Sequence, residues 1–357
     1  MRAALKALPL LLAAPVMAAT EPVGSLDGVA IIDRLDVMDV AGTARTRFWF
    51  RAGASPVGQP WLVPVVVVKG AKPGPRLMLT AGIHGDELNG IAVLHSLASS
   101  IDPAELSGTI TFIPGLNPPG LMQSARQWTP DWSRSAPNLN REMPGKEAGS
   151  AIADFAGRLW SRLIRPNADT AVDLHTQSRG TAYLMYVFAS TPRARRMAEL
   201  VGPDIVKMDK GDKGTVENTL TDDGVPAITL ELGRPEIFDD TMIARAEAGL
   251  TNLMRELKML PGKITPPPAR LFVANDIMAA RATKSGWMRL LLPIGTPVKK
   301  DQPLAEIRDA FGTLLETVVA PVEGRINMVA TDPRTDQGGT VARIVWWSPA
   351  PTCQNGC

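Results

Sequence analysis

Arg76-Leu77-Met78-Leu79-Thr80-Ala81 runs without a break into Gly82-Ile83-His84-Gly85-Asp86-Glu87, and this junction decides the fold. The first segment is short and almost wholly apolar, the pattern of a strand buried on both faces. Helical text follows over about 86–99, with Ile91, Leu94 and Leu97 on one face. A strand that leads through a His-bearing loop into a helix is the repeating unit of an open α/β sheet. Such sheets bind ligands beyond the carboxyl ends of their strands.

Working outward, strand-like text fills 30–68 and returns at 109–114, 168–174, 183–188 and 226–232. Further helices are expected at 147–164 and 241–259, and 72–75 reads as a turn. This alternation predicts an α/β protein with a mixed, mainly parallel sheet flanked by helices. The long polar stretch 117–145 has no clean period, and loops of that length tend to carry function. Residues 263–268 contain three consecutive prolines and read as a linker between a catalytic domain at 20–262 and an all-β domain at 269–348. Residues 349–357 form a tail.

Arg2 and Lys6 precede an apolar run over 7–17, and Ala18 and Ala19 follow it. That order reads as a secretory signal peptide at 1–19, which implies a periplasmic or secreted protein. The run is shorter than the roughly 20 residues that cross a bilayer. Cys353 and Cys357 suit a small disulfide loop in an oxidising compartment. No other cysteine is present, which excludes a thiol nucleophile in the catalytic domain. With 38 Lys and Arg against 36 Asp and Glu, no overall field points to nucleic acid or an anionic membrane.

The chain has three histidines, His84, His95 and His175. His84 and Glu87 stand three apart, Glu87 expected in the first helical turn, and can converge on one ion. Gly85 permits close backbone approach there. Val172-Asp173-Leu174-His175-Thr176 ends another strand and supplies a second imidazole. A His, Glu, His set with one open position is the donor set of hydrolytic zinc. Asp173, two residues before His175, is placed to orient it, as a backbone carbonyl also could. His95 reads as a packing or surface residue. Glu231 closes the run Ala227-Ile228-Thr229-Leu230, where an unpaired carboxylate is costly. It suits a general base; a salt bridge to Arg234 is the alternative. Arg126, Asn140 and Arg141 lie in the long stretch, where a guanidinium fork suits a substrate carboxylate or an oxyanion.

Taken together, Gly82 to Glu87, Asn117-Pro118, Asn140-Arg141 before Met143-Pro144-Gly145, Asp173-Leu174-His175 and Glu231 resemble the succinylglutamate desuccinylase/aspartoacylase family. The resemblance implies a zinc carboxypeptidase-like fold with one Zn2+ on His84, Glu87 and His175, and Glu231 as general base. It implies Arg126, Asn140 and Arg141 as binders of substrate carboxylate or carbonyl oxygen. Asn138 stands where the family usually has Asp, which removes a negative charge near the site. The expected activity is hydrolysis of the amide of an N-acyl amino acid or similar small molecule bearing a carboxylate. A carboxypeptidase-like enzyme acting on peptides or cell-wall fragments is the alternative, and a non-catalytic zinc- or ligand-binding protein would need no general base. The segments around Gly286-Trp287, 293–298 and 320–326 resemble the biotinyl/lipoyl β-sandwich. The expected hairpin tip, 309–312, has no lysine, so no lipoate or biotin is expected, and a role in narrowing the site's mouth is.

Overall fold

The computed structural model describes residues 20–128, 137–265 and 271–352. The expected signal peptide, most of the proline run and both cysteines lie outside the described residues.

Among the described residues, eleven strands form one mixed sheet. Its centre is three neighbouring parallel strands, Lys72–Ala81, Thr170–His175 and Ala227–Leu232. Ser107–Ile113 lies on the other side of Lys72–Ala81, so successive crossovers leave that strand in opposite directions. The carboxyl ends flanking this reversal are where an open sheet forms a crevice. The expected turn at 72–75 is instead the start of the central strand, with a register shift between Lys72 and Arg76.

Burial follows the two-residue strand period. Leu77, Leu79 and Ala81 enter one core with Val93, Leu94 and Leu97 of the helix Asn89–Ser100. Met78 enters the opposite core with Val63, Val65 and Phe155. Every residue of Thr170–His175 and Ala227–Leu232 is buried, as expected of central parallel strands, and the apolar text of the two is broken chiefly by Asp173, His175 and Glu231 at the site. Gly90 lets the helix lie directly on the sheet, because a Cβ there would come within 2.7 Å of the Leu174 Cβ. Leu94→Ala in this layer would cost about 2–5 kcal/mol.

Elements absent from the expected set include the helices Pro192–Val201 and Val216–Asp222 and the short strand Ile205–Lys207. The helix expected over 147–164 ends regularly at Leu159 and continues as a wider turn, Trp160–Ile164. Past 271, Phe272–Ala274 still belongs to the large sheet as an edge beside Ile205–Lys207. From Asp276 onward the strands form two small antiparallel sheets around their own core of Leu304, Ile307, Val341 and Ile344. Thr181–Tyr183 from the catalytic half pairs with Gly324–Ala330, so the two halves share hydrogen-bonded strands. Phe311 stands at the hairpin between Pro303–Arg308 and Leu314–Val319 and is 94% exposed.

Candidate metal centre and its pocket

His84, Glu87 and His175 meet at the carboxyl edge of the central strands. Ala81 is in register with Leu174, and His175 with Glu231 on the next strand. His84 follows Ala81 through a tight turn that brings Gly85 against residue 120. A Cβ on Gly85 would lie 2.0 Å from the Gly120 carbonyl carbon, so only glycine fits. Glu87 precedes the helix rather than occupying its first turn, since Asn89 begins it.

The donor atoms of the three side chains all lie within 4.8 Å of one another, and all three residues are buried. Nδ1 of His84 is 2.9 Å from Glu87 Oε1, and Nδ1 of His175 is 2.9 Å from Glu87 Oε2. Each imidazole presents Nδ1 inward and anchors Nε2 on an oxygen behind it. His175 Nε2 is 2.8 Å from Asp173 Oδ2, and Asp173 Oδ1 accepts from the Thr80 hydroxyl at 2.6 Å. His84 Nε2 is 3.1 Å from the side-chain oxygen of Asn138. Asn138 therefore supplies the acceptor that a carboxylate would supply, at one less negative charge. Two inward imidazoles, one carboxylate and oriented outer nitrogens suit zinc's preference for mixed nitrogen and oxygen donors.

Burial lowers the pKa of His84 despite the Glu87 carboxylate. Burial also acts to lower His175, but Asp173 and then Glu87 outweigh it and lift it well above the usual value. Burial opposes charge on Glu87, yet the two imidazoles hold its carboxyl well below the usual range. Glu231 is 8% exposed, and its Oε2 has no hydrogen-bond partner. Burial, partly offset by His175 and reinforced by Glu87, pushes the Glu231 carboxyl up to about 8. Among the described contacts no ion pair joins Glu231 to Arg234, the alternative raised by the sequence.

A cavity of about 450 Å³ opens on this cluster and is lined by all seven residues singled out from the sequence: His84, Glu87, Arg126, Asn140, Arg141, His175 and Glu231. Arg126 Nη1 donates to Glu87 Oε1 at 3.1 Å and to the Ser178 hydroxyl at 2.6 Å, which sets a guanidinium directly beside the donor cluster. Asn140 Oδ1 accepts the Val216 N–H at 3.0 Å, so its NH2 is what it offers a ligand. Arg141 pairs with Asp212. His95 does not line the cavity.

Several wall residues were not legible in the sequence. Ser178 donates to Glu87 Oε1 at 2.9 Å; its nearness to His175 was the available signal. Glu217 and Arg343 also line the cavity. Arg343 comes from the β domain, where it pairs across the sheet with Met328, itself opposite Tyr183. Nothing in the text near Arg343 marks it.

A mixed sheet with a candidate metal site at its central switch point has the architecture of the zinc carboxypeptidase-like fold. The model of the succinylglutamate desuccinylase/aspartoacylase catalytic domain matches residues 73–257. The chain belongs to that family. It is 27% identical over 279 residues to N-alpha-acetyl-L-2,4-diaminobutyric acid deacetylase of Halomonas elongata, covering 74% of this chain and 78% of that one. It is 28% identical to succinylglutamate desuccinylase of Burkholderia thailandensis over 50% of this chain and 55% of the relative. Its fold matches a succinylglutamate desuccinylase/aspartoacylase of Rhodobacter sphaeroides at TM-score 0.76 and 22% identity, over 85% of this chain and 96% of that chain. It matches the product-bound ectoine utilization protein of Ruegeria pomeroyi at TM-score 0.76 and 20% identity, over 86% and 97%. These relatives place the chain among hydrolases of the deacylase type, which act on carbon–nitrogen bonds other than peptide bonds.

Proposed function

We propose that the protein is a zinc-dependent deacylase that hydrolyses the amide of an N-acyl amino acid. The observation that carries this reading is the unpartnered Oε2 of Glu231, one strand from His175 and facing the same cavity as the His-Glu-His cluster. His84 and His175 through Nδ1, with the Glu87 carboxylate, would hold the zinc. When bound, zinc polarises the amide carbonyl and makes a water acidic enough to attack it near neutral pH.

The side chains supply the rest. Glu231 takes the proton of the attacking water on Oε2 and returns it to the departing nitrogen. Burial keeps this carboxylate away from bulk water, which raises its affinity for that proton. Arg126, held beside Glu87, steadies negative charge on the former carbonyl oxygen. Arg141 and the NH2 of Asn140 bind the substrate carboxylate, Asn140 being fixed by its bond to Val216. Ser178 and the Thr176 N–H, at 3.2 Å, fix the Glu87 carboxylate from behind.

The matched relatives are deacylases by name, which favours a small acylated amino acid over the carboxypeptidase-like alternative. The amino-terminal charge, apolar run and small residues support export. The test is Glu231→Gln in zinc-loaded protein. It should keep its zinc and lose about 10²–10⁴ in turnover of N-acetyl or N-succinyl amino acids. Unchanged turnover would remove Glu231 from the reaction. Efficient cleavage of peptides alone would overturn the small-amide reading.

A further inference from the structure

We propose that Glu217 donates a hydrogen bond from its carboxyl group to a side-chain carboxamide of the substrate, so that the preferred substrate is an N-acyl amino acid of the asparagine or glutamine type. This rests on the deacylase reading and specifies its substrate. Glu217 lies on the helix Val216–Asp222, is 2% exposed, and lines the cavity that also holds His84, His175 and Glu231. Its Oε1 is buried with no hydrogen-bond partner. Gly211 leaves Oε2 open, since a Cβ there would stand 3.6 Å from it. Buried polar groups are rarely left unpaired, and here a ligand in the cavity can complete the pairing.

The chain places this carboxyl where the side chain of the amino acid goes. The preceding residue, Val216, holds Asn140 through its N–H, and Asn140 with Arg141 takes the substrate carboxylate. On the other side, Thr229 stands two residues before Glu231 on one strand and so on the same face. Phe188 is the register partner of Thr229 on the neighbouring strand, and both line the cavity. A substrate with its carboxylate at Asn140 and its amide beside Glu231 turns its side chain toward Glu217, Thr229 and Phe188.

The surroundings keep Glu217 uncharged. Among the described contacts no cation pairs with it, and the buried Lys207 is held by Asp209. Burial, reinforced by the negative charge of Asp209 and Asp173, pushes its carboxyl well above the usual range. A protonated carboxyl has one O–H to give and a carbonyl oxygen to accept with, which matches the C=O and NH2 of a primary amide. A carboxylate or an ammonium in the same place would lose its water without gaining a counter-charge, because Asp209 and Asp173 are already engaged by Lys207 and His175. The same residue thus selects against both charges.

The test uses zinc-loaded full chain and Nα-acetyl amino acids of matched length, in the asparagine and glutamine lengths. Their side chains end in a carboxamide, a carboxylate, an ammonium or an isopropyl group. Wild type should favour the carboxamide over each of the others by about 10–100-fold in kcat/KM at one of the two lengths. Glu217→Met, checked by zinc content and circular dichroism for an intact fold, removes the donor and should bring the carboxamide-to-isopropyl ratio close to one. Glu217→Gln keeps a neutral donor and should retain most of that ratio. The wild-type panel decides even if Glu217→Met fails to fold. A wild type that prefers a charged side chain or shows no preference overturns the assignment while leaving the deacylase reading in place. So does a ratio that survives Glu217→Met, or one that Glu217→Gln abolishes as fully as Glu217→Met. Wild type inactive on every acyl amino acid overturns the deacylase reading itself, and the role of Glu217 falls with it.

Discussion

Glu231 and His175 are register partners on adjacent parallel strands, so their side chains leave the sheet side by side. Their relative position is fixed by backbone ladder hydrogen bonds rather than by a loop. Asp173, two residues earlier on the same strand as His175, reaches its Nε2 at 2.8 Å. One pair of strands thus sets a donor, its orienting carboxylate and the unpartnered acid.

That arrangement makes Asp173 a positioning residue for the metal. Asp173→Asn retains bulk but loses the charge on His175 Nε2, and should weaken zinc affinity by about 10–100-fold. Competition against a chelator of known affinity measures this. Asn138→Ala should act in the same direction through His84, whose Nε2 would lose its acceptor.

Arg343 tests whether the β domain completes the pocket. Arg343→Ala should raise KM for carboxylate-bearing substrates by about tenfold or more, since a hydrogen bond to a charged group contributes about 1.5–3 kcal/mol. Zinc content should stay the same. An unchanged KM would limit the β domain to walling the cavity.

Glu147 provides a pH test away from the site. It pairs with Arg162 and accepts from the Ser161 hydroxyl at 2.5 Å, and the Arg162 and Ser161 hydrogen bonds lower its pKa to about 2. A depressed carboxylate stabilises the fold above its unfolded value of 4.5 and loses that contribution as pH falls toward 2. The pair is about one-third exposed, so the effect should stay below about 1 kcal/mol. Glu147→Gln should be slightly less stable than wild type at pH 6, and the two should converge near pH 2 in denaturant titrations.

Export predicts loss of the first 19 residues or so from protein recovered outside the cytoplasm. Intact mass of that fraction measures it. A full-length mass there would contradict processing at Ala18-Ala19.

The centre of the fold was legible because fully buried parallel strands are written as apolar runs. Leu77-Met78-Leu79 carries that pattern, and Ile228-Thr229-Leu230 and Val172-Asp173-Leu174 keep it around one polar residue each, with chemistry-bearing residues inside these runs or just past their ends. What stayed hidden was short or charged. The strand Ile205–Lys207 has three residues, and the helix Pro192–Val201 places arginines 193, 195 and 196 among its few apolar positions. Glu217 sits in polar text that resembles a loop, and Arg343 depends on cross-strand pairing between two halves of the molecule. Asn138 was visible only as a departure from the family's usual Asp. Its bond to His84 depends on how residues 137–141 fold back over the site.

The most direct measurement is an anomalous-difference map at the zinc edge from crystals of protein purified without chelator. The account predicts one strong peak within bonding distance of His84 Nδ1, His175 Nδ1 and the Glu87 carboxylate, and its loss in His175→Ala. No peak there, or a zinc held elsewhere while deacylase activity persists, would contradict it.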